Sequence, residues 1–424
     1  MSVEKIDTLV VGGGQAGIAM SEHLGRAGIP HVVLERDRIA ERWRTGRWDS
    51  LVANGPAWHD RFPNMTYDNC EPEVFPGKDR VAEYFVQYAK MINAPVRCGV
   101  EVTRAQRLKG RPGFRVETSD GVFEARRVVC ATGAFQRPII PNVIPESAPV
   151  DQIHSFDYRN PDQLKPGAVL VVGAGASGSQ IAEELIASGR KVYLSLGPHD
   201  RPPRRYRNRD FVWWLGVLGK WDLEAMAPGT EHVTVAFSGA NGGNTVDFRR
   251  FADAGCTLVG RTDSYADGTL RFADDLVENI AAGDAFYHRM LDECDAYAEA
   301  NGLDLPLDPE ARKIGPDPDC LTHPVESLDL AEAGITTVLW ATGFARDYDW
   351  LEIDTFDAQG APLHQRGVSR EQGVYFLGLP WQSRRGSSFI WGVWHDAKHV
   401  ADHIATQRAY LDFHETAQAQ TEPA

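Results

Sequence analysis

Two stretches of the chain carry the same succession of apolar and polar positions. Residues 6–37 read IDTLVVGGGQAGIAMSEHLGRAGIPHVVLERD, and residues 167–198 read GAVLVVGAGASGSQIAEELIASGRKVYLSLGP. Each opens on an unbroken apolar run and turns on glycines. Apolar residues then recur on one face of a helix that ends in glycine, and a second β-branched run follows. The pattern predicts strand, turn, helix, strand, twice, with turns beginning at Gly12 and Gly173, 161 residues apart. Two further apolar runs, VVCATG (128–133) and VLWATG (338–343), end in the same Thr-Gly pair and predict short buried strands. Segment 267–302 reads as a strand followed by helix over about 275–302.

The glycines have separate tasks in such a unit. Gly12 and Gly173 permit the tight turn out of the strand. Gly14 and Gly175 remove a side chain that would block backbone approach to a pyrophosphate. Gly17 and Gly178 let the helix pack closely on the strand. A pyrophosphate then rests on amide donors at the helix N-terminus, where the dipole favours negative charge. Glycine turns without a nucleotide are common. Here both copies follow a strand, open a helix and lead into a second strand, which favours the nucleotide. The fold class expected is α/β with two Rossmann-like dinucleotide-binding domains, the second inserted into the first. The ATG runs mark the crossings, giving a discontinuous first domain (1–164 and 335–424) and a second at 165–334.

The copies differ at the end of their second strands. The first ends at Glu35, placed to accept the ribose hydroxyls of an adenosine. The equivalent position in the second is Leu196, and Arg201, Arg204, Arg205, Arg207 and Arg209 follow within thirteen residues. Arginines attract a 2′-phosphate that a carboxylate would repel, so the second site favours NADPH, with NADH also open. A solvated arginine-rich loop is the alternative.

Composition narrows the class without changing this picture. The chain has 424 residues, 44 Lys plus Arg against 59 Asp plus Glu, and a net charge of −15. So acidic a chain is a poor binder of nucleic-acid backbones. Hydrophobic residues make up 43% and charged residues 24%, as in a globular protein. Six cysteines include no C-x-x-C pair, which suits a reducing cytoplasmic setting and neither a disulfide framework nor a dithiol. No apolar run approaches the ~20 residues of a membrane span.

A Glu-ended first fingerprint, a second some 160 residues on and two ATG strands together resemble the flavin-dependent monooxygenases, over nearly the whole chain. That group comprises FAD- and NADPH-using N- and S-oxygenases and Baeyer–Villiger enzymes. The resemblance implies FAD in the first domain and NADPH in the second. It also implies transfer of one atom of O2 to a small organic substrate through a C4a-hydroperoxyflavin. ERWRTGRWDSL (41–51) resembles the family segment that puts a tryptophan, here Trp43, beside the flavin. Asn54, in LVANGPAW, matches the asparagine kept near flavin C4a in many N- and S-oxygenating members, and is the candidate catalytic residue. GVYFLGLP (373–380) resembles the return to the flavin, with Gly378-Leu379 where disulfide reductases carry Gly-Asp. The linker HSFDYRNP (154–161) fits the latter half of a family signature through His154, Tyr158 and Pro161, while Ala148 and Val150 depart from its first half. On this likeness Gln15, Ala16, Arg36, Arg42, Trp43, Thr132, Gly133 and Gly378 join the first turn in holding FAD. Ser177, Arg201, Arg204 and Arg205 join the second in holding NADPH.

Other features weigh less. His395, His399 and His403 share a helix face, but i and i+8 lie ~12 Å apart, too far for one metal ion. FVWWLGVLGKW (211–221) reads as a buried helix, with a substrate cover or a homodimer contact as alternatives. Trp391 is a candidate pocket residue. Two other functions share both nucleotide sites: a flavin reductase that passes electrons to a partner, and a nucleotide sensor without turnover.

Overall fold

The computed structural model describes residues 3–224 and 234–419. The first repeat folds as β1 (Val3–Val11), α1 (Gln15–Arg26) and β2 (His31–Glu35). The two strands pair in parallel, with Val10 opposite Val33 and Val11 opposite Leu34. Gly12 takes φ +110°, a conformation L-residues rarely adopt. A Cβ at Gly17 would overlap the Gly12 carbonyl oxygen, so glycine there sets how closely helix and strand approach.

Chain order continues with α2 (Glu41–Thr45), α3 (Lys78–Met91), β3 (Val96–Cys98), β4 (Val102–Arg107), β5 (Phe114–Thr118) and β6 (Gly121–Cys130). The first sheet runs β4-β5-β6-β1-β2-β3, and the late strand Val374–Phe376 also lies on β6. β6 is parallel to β1, whereas β4, β5 and β6 form an antiparallel meander. The sequence reading predicts the end of β6 at 128–133 and passes over β4 and β5. These two strands, VTRAQR and FRVET, bury few residues each and carry charges outward, which mutes the apolar signal.

The ATG segments lead to β7 (Arg137–Pro138), which pairs antiparallel with Phe344–Ala345. Then come β8 (Asp151–His154), β9 (Ala168–Val172), α4 (Ala176–Ala187) and β10 (Val192–Ser195). With Thr257–Val259 and Ile335–Trp340 they form a second sheet, parallel at every pairing. Its strands AVLVV and ITTVLW are apolar without alternation, as expected where both faces are covered.

The second repeat thus reproduces the first. Gly173 takes φ +110° and Gly178 abuts the Gly173 carbonyl. The Ala131 carbonyl lies beneath Gly12 and the Ala341 carbonyl beneath Gly173, so each ATG segment backs a glycine turn. The C-terminal helix Ile390–Ala419 presents Val393, Ala397, Val400 and Ile404, all buried at helical spacing, to α1. The helix expected near 275–302 spans Leu276–Ala300. Residues 211–217 form α5 (Phe211–Val217), whose Trp214 and Leu215 pack in one core with Tyr287, Met290 and Leu291. Of the readings offered for that segment, the buried helix describes it. Among the described residues no helix is long and apolar enough to cross a membrane.

Candidate active site

The first glycine turn ends in a helix terminus without a cap. Gly14 is the N-cap of α1 and offers no side chain to its amides, and a Cβ added there meets nothing within 4 Å. The first-turn N–H groups therefore face open space, the arrangement that receives a phosphate. Glu35 is held in place from two sides: the Gly13 amide donates to Oε2 at 2.6 Å and the Asp37 amide to Oε1 at 3.0 Å. A carboxylate has about four lone-pair sites, so acceptor capacity remains for two ribose hydroxyls.

Most of the residues expected around this turn converge on it. A Cβ at Gly378, which has φ +83°, would approach the Ala16 side chain, so the return strand reaches the head of α1. Gln15 Nε2 donates to the Ser388 carbonyl at 2.8 Å, tying the turn to the start of the C-terminal helix. Thr132 Oγ1 and the Gly133 carbonyl both accept from Gln136 Nε2. Trp43 lies half-buried between the core beneath α1 and the core of the second sheet. Arg36 is the outlier, exposed beside Asp37.

Arg42 sits over the Phe156 ring, and burial lowers its pKa from the ordinary value, with the nearby Arg36 charge adding to the effect. Arg47, which the sequence reading missed, sits over Phe135; burial and then Arg42 push its pKa down to about 10. Among the described residues neither arginine forms an ion pair. Beyond Gly378, the buried atoms Gln382 Nε2, His395 Nε2 and Asp396 Oδ2 have no hydrogen-bond partner among the described residues. A buried polar atom left unpaired costs about 1–3 kcal/mol, so this end of the site suits a ligand with complementary polar edges.

The second turn is likewise uncapped, but a Cβ at Gly175 would touch the Thr234 side chain at 3.4 Å. Gly175 is the N-cap of α4 without a side-chain cap, and Ser177 lies half-buried in the helix's first turn. From this helix two side chains one turn apart reach the segment that carries Asn54. Ser50 Oγ donates to Glu184 Oε1 at 2.6 Å. Gln180 Nε2 donates to Asn54 Oδ1 at 2.8 Å and to the Phe237 carbonyl at 3.1 Å. A carbonyl can only accept, so the Phe237 contact fixes which end of the Gln180 amide is nitrogen. Gln180 in turn fixes the Asn54 oxygen. Among the described residues Asn54 Nδ2 is left as an uncommitted donor.

Arg204 grips the same residue from its backbone. Its Nη1 donates to the Asn54 carbonyl at 2.7 Å, and its guanidinium makes a two-pronged pair with Asp210 at 2.6–3.0 Å. The rings of Phe75 and Phe237 lie 4.3 and 4.2 Å from it. Its side chain is 1% exposed. This corrects the sequence reading: every face of Arg204 is occupied, and a 2′-phosphate cannot reach it. Arg201 needs the same correction, being buried with Nη2 on Asp284 at 2.6 Å and Tyr287 beneath it. Arg205 is exposed, with Glu73 at 3.9 Å.

The sequence reading also missed His59 and Asp60, five and six residues beyond Asn54. His59 Nδ1 donates to Asp60 Oδ1 at 2.8 Å, while Asp60 Oδ2 accepts from the Gly55 amide at 2.9 Å. Trp221 and Trp391 stack near the imidazole at 5.1 and 6.1 Å, and His59 Nε2 is buried without a partner among the described residues. An Asn-Gly-Pro turn followed by an adjacent His-Asp was the available signal.

Residues 9–216 match the family described as pyridine nucleotide-disulphide oxidoreductase. An uncharacterized CzcO-like oxidoreductase of Geobacillus kaustophilus is 34% identical over 403 residues, covering 94% of this chain and 98% of that protein. The probable indole-3-pyruvate monooxygenase YUCCA4 of Arabidopsis thaliana is 31% identical over 182 residues, 42% of this chain and 43% of its own. The solved structure of a flavin-containing monooxygenase from Stenotrophomonas maltophilia has the same fold. It aligns with a TM-score of 0.66 at 20% identity, over 96% of this chain and 99% of that one.

Proposed function

The chain belongs to the family of the CzcO-like oxidoreductases, and on that premise we propose that it is a flavin-dependent monooxygenase that transfers one atom of O2 to a small organic substrate, with FAD at the first glycine turn and NAD(P)H at the second. In this reading residues 1–164 and 335–424 form the FAD domain and 165–334 the nicotinamide domain. The observation that carries it is the grip on Asn54. One helix opened by a glycine turn reaches across to orient the one amide that the family resemblance assigns to the reacting end of the flavin.

The uncapped terminus of α1 would hold the FAD pyrophosphate and Glu35 its ribose, with Arg42 and Arg47 adding positive charge at the mouth. Bound FAD, reduced by the nicotinamide, supplies the oxygen activation. Asn54, its amide oriented by Gln180, would offer Nδ2 as a donor to the reacting oxygen of bound FAD, a preorganised dipole that needs no rearrangement as charge develops. Trp221 and Trp391, stacked near His59, would keep water from that end of the site, which disfavours release of hydrogen peroxide. The arginine argument for NADPH over NADH loses Arg201 and Arg204, so both nicotinamides stand as cofactors. The substrate is a soft nucleophile such as an amine or thioether, or a ketone.

The test is 18O2 turnover with a panel of amines, sulfides and ketones. One labelled oxygen in a product is expected. Recovery of all electrons in an acceptor protein would instead identify an electron-transferring flavin reductase, peroxide alone with every compound would leave the substrate class open, and colourless protein that binds nicotinamide would identify a sensor. Glu35→Ala is expected to weaken FAD retention about 10–100-fold, the value of charge-assisted hydrogen bonds to the ribose, read as flavin absorbance lost on gel filtration. Retention equal to the parent would remove Glu35 from the site.

A further inference from the structure

The arginine-rich segment beyond β10 is left over from the nucleotide reading, and its geometry points elsewhere. Arg205–Tyr206 and Arg209–Asp210 form a two-stranded hairpin, β11 and β12, closed by Arg207 and Asn208 at φ +50° and +59°. Two successive left-handed residues are the requirement of the tight hairpin turn, and arginine adopts that conformation only when held. Arg207 is held: its guanidinium donates to Asp295 and to the carbonyls of Leu305 and Pro306. Tyr206 adds a bond from its hydroxyl to Asp295 at 2.8 Å. The hairpin is therefore a fixed mount for its last strand.

That strand carries Arg209, an exposed arginine with no carboxylate partner among the described residues, resting 5.3 Å from the Trp213 ring. Beside it opens a cavity of about 240 Å³. Trp58, Trp213 and Pro72 give it apolar walls, and Arg209 gives it a free cation. Its two carboxylates are both answered, Asp210 by Arg204 and Glu73 by Arg205 at 3.9 Å. The cavity backs directly onto the site described above. Trp58 meets His59 edge-on at 5.4 Å, and Asp210 reaches Asn54 through Arg204.

We propose that this cavity is the substrate entrance, and that it takes a small planar aromatic carrying a carboxylate. The ring lies against the two indoles, and the carboxylate meets the Arg209 fork, which matches its two oxygens. The volume falls below the ~300–1,000 Å³ of drug-sized pockets, which limits the ligand to a single ring or a compact pair. Calling it the substrate entrance rests on the monooxygenase reading; the binding itself does not.

Isothermal titration of the purified full chain with phenylacetate and its neutral amide, phenylacetamide, tests the assignment. The acid is expected to bind about ten-fold more tightly than the amide, a preference that weakens with salt. Arg209→Gln is expected to bring the two within two-fold, with Arg209→Lys intermediate. Trp213→Leu is expected to weaken both ligands alike. Equal affinity of acid and amide for the parent, or a preference that survives Arg209→Gln in a protein of unchanged melting, overturns the proposal. Arg209-dependent binding with no labelled product from any acid keeps the cavity as an anion site and removes the substrate role. Labelled amines or sulfides without Arg209-dependent binding leave the oxygenase and remove the cavity.

Discussion

Arg204→Met is expected to lower the stability of the folded chain by about 3–5 kcal/mol, read as a fall in the urea midpoint. The reason is asymmetry rather than the worth of the ion pair itself. Both side chains are 1% exposed, so removing the guanidinium leaves the Asp210 carboxylate buried with, among the described residues, the Val212 amide as its one remaining donor. Adding Asp210→Leu is expected to restore most of the loss, because well-packed apolar replacements of buried pairs are often neutral. The same variant settles the nicotinamide question for this residue. The KM values for NADPH and NADH should move together or not at all. A rise confined to NADPH, in protein with unchanged unfolding, would return Arg204 to the 2′-phosphate and overturn the correction made above.

Asn54→Ala is expected to lower coupled turnover about 10²-fold and to divert oxygen to hydrogen peroxide, the loss typical of removing one preorganised donor. Gln180→Leu is expected to give a smaller loss of the same kind, since Asn54 stays in place but its amide is free to turn. The decisive quantity is product formed per nicotinamide oxidised in the double variant. If Gln180 acts through Asn54, the pair is no worse than Asn54→Ala alone. If Gln180 only braces α4, the two losses multiply. An Asn54→Ala protein that stays fully coupled would remove the asparagine from the chemistry, and the Gln180 argument with it.

These two cases separate what is local from what is not. The helix over Leu276–Ala300 and both repeats were legible because their signal lies within windows of a dozen residues. The first two strands of the meander, β4 and β5, were not, because short strands with one charged face lack an apolar run. Trp43, Gly378 and Gln15 were found through family resemblance, and the fold draws them around one turn. Arg47 and His59 carried no such pattern. Their standing comes from neighbours, Phe135 and Arg42 for one and three tryptophans for the other.

By itself the sequence determined the two glycine turns and the helices they open. A tight turn with φ beyond +100° and a helix pressed onto its own strand are steric demands made within six residues, and only glycine meets them. The tertiary structure alone decided what the polar side chains do. The partners of Arg204 include Asn54, 150 residues away, and Asp210, six away. Charge is written in the sequence, but whether a charge is free depends on what the fold sets against it: Arg204 is neutralised and sealed, and Arg209, five residues on, stands open beside a cavity.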